Sequence, residues 1–262
     1  WMAAVGHPGE DSNLFETVAA VGLDLCPELG ICIPVGKDSM SMRTVWQDDE
    51  GEKSNTAPLS LIITAFTTVG DIRKTLTPQL VTDQGDSQLL LIDLGRGKNR
   101  MAGSALAQVY REMTGSVPDL DKAEDLIALF NLVKQCRDQG SLLAYHDRSD
   151  GGLFATLCEM AFASHCGVDI QLETLTEADS SLSIPALFNE EIGAVIQVKA
   201  DRVDAVQSLA ASLGIGDCIV EVAMTNSSDC ITVCHGSQEL LSHSRIDLQR
   251  IWSATSYHMQ SL

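Results

Sequence analysis

"AYHDRSDGGLFATL", residues 144–157, decides how the rest of the chain is read. An apolar lead-in runs into His146-Asp147-Arg148-Ser149-Asp150, and Gly151-Gly152 then open an amphipathic stretch. The pattern predicts a strand, its exit loop and a helix in immediate succession. Two carboxylates, Asp147 and Asp150, flank the Ser149 hydroxyl at the mouth of that helix. Carboxylate oxygens suit Mg²⁺, a hard cation that keeps waters and bridges to phosphate. Free N–H groups at a helix start suit phosphate oxygens, and paired glycines permit close approach. The same composition also serves a plain capping turn, with Ser149 or Asp150 on the helix N-terminus. Local chemistry leaves both open.

The surroundings bound the choice. The 262 residues carry 36 Asp+Glu against 17 Lys+Arg, a net charge of −19. That balance argues against a nucleic-acid partner or an anionic membrane surface, both of which need clustered cations. The longest apolar run, "LSLIITAF", is strand-sized and far below a membrane span, so a soluble protein is expected. Any phosphate ligand must be met by backbone N–H groups, a few local cations or a bridging metal. Eight cysteines show no CxxC and no zinc spacing, and Cys230 and Cys234 flank "ITV" in an expected strand. Their Cα atoms would stand about 13 Å apart, beyond disulfide reach. Reduced thiols in a cytoplasmic protein are expected.

Along the chain, residues 8–30 predict a helix, with Ser12 or Asn13 as cap, a Leu14-Val18-Val21 stripe, and Pro27 and Gly30 as the stop. "ICIPVGKDSMSMRTVWQ" reads as a strand broken by a Gly-Lys-Asp-Ser loop, and "TAPLSLIITAFTTV" as a long strand. Turn-rich residues 70–86 mark a boundary. Beyond it, "SQLLLIDLG", "SLLAY", "VDIQLE", "AVIQVK", "CIVEVA" and "CITVCH" predict strands. Helices are expected in residues 96–115, in 119–140, after Gly151 and at "ADRVDAVQSLAASLG". The order lacks strict βαβ alternation, which predicts an α+β fold, a mixed sheet with helices packed on one face. "WMAAVG" reads as the middle of an element, so the chain is expected to be a piece of something longer.

Other motifs are less specific. In the GKDS loop, Lys37 offers a point charge for a phosphate, and Asp38, Ser39 and Ser41 offer oxygens; a tight turn with Lys37 solvated is equally compatible. The loop is not a P-loop, since G-x-x-x-x-G does not precede the lysine. "LGRGKNRMAGS" reads as a surface loop, "FNEE" (Asn189, Glu190, Glu191) as a solvated turn, and His7 in "GHPGED" as structural.

"HDRSDGGL" with its helix resembles the motif of an ATP-dependent superfamily. Its members include aminoimidazole ribonucleotide synthetase, formylglycinamidine ribonucleotide synthetase, selenophosphate synthetase and thiamine-monophosphate kinase. "GHPGED" at 6–11, "IPVGKDSMSM" at 33–42, "LFNEEIGAVIQV" at 187–198 and the terminal "RIWSATSYHMQSL" are similar to the large single-chain phosphoribosylformylglycinamidine synthases. The resemblance implies part of a C–N ligase that converts formylglycinamide ribonucleotide, glutamine and ATP to formylglycinamidine ribonucleotide in purine biosynthesis. It implies the end of an N-type domain over 1–70, a C-type domain over 76–245, and over 246–262 the start of a link to a glutaminase. The partners implied are the small-molecule substrates, glutamine-derived ammonia, a first N/C-type pair and the glutaminase, with ATP or tightly bound ADP and Mg²⁺ as cofactors. By motif, Asp147 corresponds to a Mg²⁺ ligand and Ser149 to a nucleotide contact; Lys37 and Ser41 are the matching candidates of the GKDSMSM loop. No catalytic residue is assigned. Two other readings remain: a structural half whose nucleotide is never turned over, or a stand-alone synthetase or kinase of the selenophosphate synthetase or thiamine-monophosphate kinase type.

Overall fold

In this computed structural model, which describes residues 1–177 and 179–262, glycine stops shape the first element. Gly9, at φ 85°, precedes helix α1 (Glu10–Ala19), and no side chain caps it. Ser12 and Asn13, the expected caps, lie inside the helix, while the Asp11 carboxylate reaches back to accept from the Gly6 N–H at 2.8 Å. A π-helical segment, Ala20–Leu25, leads into α2 (Cys26–Leu29), which Gly30 ends at φ 66°. Strands β1 (Arg43–Asp48) and β2 (Gly51–Thr56) form an antiparallel hairpin. "TAPLSLIITAFTTV" does not form the expected strand; Ser60 makes an isolated bridge to Met2, and residues 61–69 lie outside any strand. An apolar, β-branched run becomes a strand only when a neighbouring backbone supplies its ladder. These elements make one compact unit, Trp1–Gly70.

The second unit, Asp71–Leu262, is built on a mixed sheet. Its strands are β3 (Ser87–Asp93), β4 (Leu142–Arg148), β5 (Gly167–Gln171), β6 (Gly193–Lys199), β7 (Ile219–Asn226), β8 (Cys230–His235) and β9 (Gln238–Ser244). They lie in the order β4-β6-β3-β7-β5-β8-β9, with β5–β8 parallel and the other pairs antiparallel. The helices are α3 (Ala105–Tyr110), α4 (Ala123–Asp138), α5 (Gly152–Ser164), α6 (Glu173–Thr176), α7 (Ser183–Phe188), α8 (Val203–Ser212) and α9 (Arg245–Gln260).

The α+β class and the mixed sheet agree with the expectation, but helices cover both faces rather than one. Strand period two explains this: Leu89 and Leu91 enter one core with Leu153, Leu157 and Met160 of α5, while Leu90 and Ile92 enter another with Leu132 of α4 and Val206 of α8. A sheet with an interior strand that is apolar on both faces, as β3 is from Leu89 to Ile92, needs both sides covered. Residues 246–262, expected as the start of a link, lie mostly in α9, whose Leu248 packs on the α5-side core.

Candidate functional site

The β3, β4 and β6 backbones bring one end of the sheet to a focus. Asp93 at the end of β3 and Arg148 at the end of β4 both pair in register with Gly193 at the start of β6. Arg148 is buried; its Nε donates to the Glu191 carbonyl at 2.6 Å and its Nη2 to Asp93 Oδ1 at 2.6 Å. Asp93 also accepts from the Gly95 and Gly97 N–H groups at 3.2 and 2.7 Å. A buried guanidinium with partners on β3 and on the segment entering β6 fixes where the chain leaves β4. Sequence reasoning missed Arg148. Its local context, the polar run His146-Asp147-Arg148-Ser149-Asp150, does not set it apart.

"FNEE" is the second correction. Asn189 and Glu191 are each 1% exposed, so this is no solvated turn. Glu191 grips Arg100, accepting from Nε and Nη2 at 2.7 Å each and from the Arg100 N–H at 3.0 Å. Glu190 Oε1 accepts from the Gly151 N–H and the Ala105 N–H, each at 2.8 Å. One carboxylate thus sits at the start of both α5 and α3, where the helix dipole favours an anion. The glycine pair also has an internal cause. Gly152 has φ 67°, and a Cβ there would lie 2.5 Å from the Asn189 carbonyl oxygen. The close approach that glycine permits is therefore to the protein's own backbone.

The "LGRGKNR" loop is not simply a surface loop either. Arg96 pairs with Asp125 and Asp217, Lys98 with Asp121 at 2.8 Å, and Arg100 with Asp121 and Glu191. The Arg96 hydrogen bonds hold the Asp125 carboxyl below the usual carboxylate range. These cations are spent on neighbouring acids.

Asp147, near the end of β4, and Ser149 and Asp150 on the β4–α5 connection remain exposed. Asp147 Oδ1 accepts from the Tyr145 hydroxyl at 2.5 Å, and burial, aided by that carboxylate, pushes the Tyr145 hydroxyl pKa up. The Ser149 carbonyl accepts from the Gly152 N–H at 2.9 Å, so this amide, like that of Gly151, already has a partner. No group of three or more His, Cys, Asp or Glu side chains arranged to hold a metal occurs among the described residues. A single Asp147 carboxylate suits a Mg²⁺ whose other ligands are waters and phosphate oxygens, and does not make an all-protein cage.

The first unit holds the other two candidates. Lys37 Nζ donates to Ser39 Oγ at 2.5 Å and to the Asp38 carbonyl at 3.3 Å, while Ser41 is exposed and bridges to Ala4. The His7 carbonyl accepts from the Glu10 N–H at 3.1 Å as the chain enters α1. A cavity of about 410 Å³ lies elsewhere, lined by residues including His165, Cys166, Asn226 and Asp229. It sits where β5 begins and β7 ends, at the end of the sheet opposite Asp93 and Arg148.

Among the described residues no helix is long and apolar enough to cross a membrane. Residues 1–68 match the family model described as the FGAR-AT PurM_N-like domain. Residues 87–227 match that of AIR synthase related protein, C-terminal domain. Among solved structures, Thermotoga maritima phosphoribosylformylglycinamidine synthase II is similar with a TM-score of 0.61 and 11% identity, over 94% of this chain and 36% of that one. "T. maritima PurL complexed with ATP" gives 0.59 and 9%, over 94% and 36%. Escherichia coli HypE, a hydrogenase maturation protein, gives 0.57 and 16%, over 93% and 70%. The chain therefore spans about a third of the length of the Thermotoga chains, and at these identities the likeness concerns the fold. With more than half of its residues inside one family model, the chain belongs to the AIR synthase related family and carries that family's C-terminal domain over residues 87–227.

Proposed function

We propose that the chain is part of an ATP-dependent C–N ligase that converts formylglycinamide ribonucleotide to formylglycinamidine ribonucleotide with glutamine-derived ammonia. On this reading residues 1–70 are the end of an N-type domain, 76–245 are a C-type domain, and 246–262 lead toward a glutaminase. The carrying observation is the contrast at the end of β4. Arg96, Arg100, Arg148 and Glu191 are consumed by internal pairs, whereas Asp147 and Ser149 stay exposed beside the α5 N-terminus. The order of the two family matches, N-type then C-type, and similar structures titled as complexes with ATP, ADP and FGAR support the same reading.

In the second unit Asp147 would give Mg²⁺ one carboxylate and Ser149 would contact the nucleotide; in the first unit, taken by itself, Lys37 would be a phosphate contact and Ser41 a nucleotide contact. When bound, the ion supplies neutralisation of γ-phosphate charge, and positioning supplies most of the rest. Glu190 already occupies the Gly151 N–H, so on this reading the phosphates are met by the ion and side chains rather than by that amide.

Nucleotide retention by the full-length protein tests the reading. Asp147→Asn should abolish copurified ATP or ADP and its Mg²⁺ dependence while leaving the melting temperature within a few degrees. Ser149→Ala should weaken retention less, by the roughly 1.5–3 kcal/mol of one hydrogen bond to a charged group. Wild-type stoichiometry and unchanged Mg²⁺ dependence in Asp147→Asn would remove the support for a metal role.

A further inference from the structure

The terminal motif "RIWSATSY" has no part in the site described above, yet its tryptophan is wired to that site. Helix α9 is anchored at its start by Arg245, buried, which pairs with Asp229 and donates to Gln249 Oε1 at 2.9 Å. One turn beyond Leu248, the Trp252 ring lies 5.8 Å from that of Phe162 on α5, and Trp252 Nε1 donates to Glu159 Oε1 at 2.9 Å. The second oxygen of the same carboxylate, Oε2, stands 2.9 Å from His146 Nε2. A carboxylate only accepts, so Nε2 carries the hydrogen. His146 is the residue before Asp147 on β4, and the Asp147 carbonyl faces α5, with Thr156 Oγ1 at 3.5 Å. Three elements thus meet on one side chain: the consecutive β4 and α5 through His146 and Glu159, and the sequence-distant α9 through Trp252.

We propose that α9 acts as a latch on the β4–α5 connection, with Glu159 as the positioning residue that transmits its seating, through His146, to the backbone carrying Asp147 and Ser149. Both Glu159 oxygens are engaged, so the carboxylate has one orientation only while both donors are present. Losing the indole N–H frees it to rotate away from His146, and the end of β4 loses a tether. Thermodynamic reciprocity then requires that loss of His146 loosen α9. The inference rests on contacts inside Asp71–Leu262 and needs no nucleotide.

Amide hydrogen exchange on the whole 262-residue chain tests it. Trp252→Phe keeps an aromatic ring against Phe162 while deleting the donor. Glu159→Gln turns one acceptor into a donor facing a donor. In both, exchange over residues 145–150 should accelerate roughly tenfold, the consequence of losing one charge-assisted hydrogen bond, relative to the core amides of 89–92 and 194–198. His146→Ala should accelerate exchange over 246–256 by a similar ratio. Taking the ratio to the core separates loosening of the latch from general destabilisation. If 145–150 keep their wild-type ratio in both Trp252→Phe and Glu159→Gln, no latch exists.

Discussion

Arg148 shows how one side chain sets the geometry of the candidate site. Its guanidinium lies between the ends of three strands, where water does not compete for its bonds. A buried pair of this kind adds little beyond an apolar replacement, but breaking it is expensive because a charge is left stranded. Arg148→Ala should therefore destabilise the second unit by about 3–5 kcal/mol, leaving the Asp93 carboxylate buried beside an emptied space. Gly152→Ala should cost about 1–3 kcal/mol from overpacking against the Asn189 carbonyl, with the strain of a positive φ in addition. Urea titration followed by circular dichroism measures both; a midpoint within error of wild type in either variant would contradict the assigned role. At this scale the sequence was partly readable. The motif around Asp147 stood out by composition. Glu190 and Glu191 did not, because nothing local distinguishes a carboxylate in solvent from one that caps two helices or grips an arginine about ninety residues away.

Elements were legible where the structure supplies them with a packed neighbour. "SQLLLID" carries four successive apolar residues, Leu89 to Ile92, and became an interior strand, β3, flanked by β6 and β7. Helix α4 carries Glu124 and Asp125 in its first turn and Arg137 in its last, as the dipole prefers, and it formed close to its expected span. Strand β9 escaped notice because, lying at the sheet edge, it is largely exposed and lacks alternation. The opposite failure is residues 57–69, whose apolar pattern is strong but whose backbone finds little to pair with. Ile62 and Phe66 are 73% and 92% exposed there. Hydrogen exchange should therefore be nearly unprotected over 61–69 while β3 and β6 exchange slowest, although both stretches look equally strand-like in sequence. Protection over 61–69 equal to that of β3, in a sample shown to be monomeric, would contradict this account.

At the scale of the whole molecule, two electrostatic terms oppose each other as pH falls. The net charge of −19 is self-repelling at neutral pH, so partial protonation of unpaired surface carboxylates between pH 7 and about pH 5 relieves it. The acids that hold the basic loop behave in the opposite way. The Arg96 hydrogen bonds lower the pKa of Asp125, and Lys98 and then Arg100 lower that of Asp121. A carboxyl group depressed in the folded state contributes stability that is fully present above its unfolded value, near pH 4, and is lost as pH falls through the lowered folded value. Asp125, whose side chain is 10% exposed, should dominate this loss; Asp121, at 32%, is better screened by solvent. The thermal midpoint of the second unit should thus be flat or rising from pH 7 to 5 and drop below about pH 4. Asp125→Asn should start lower at pH 7 and fall less steeply between pH 4 and 2, because the group that titrates has been removed. Added salt should raise the midpoint at pH 7 by screening the surface repulsion, and should alter the Asp125 contribution less, since a shielded pair is screened less. Midpoints followed by circular dichroism across this range decide the point: parallel acid limbs in wild type and Asp125→Asn would show that the Arg96–Asp125 pair does not govern acid stability.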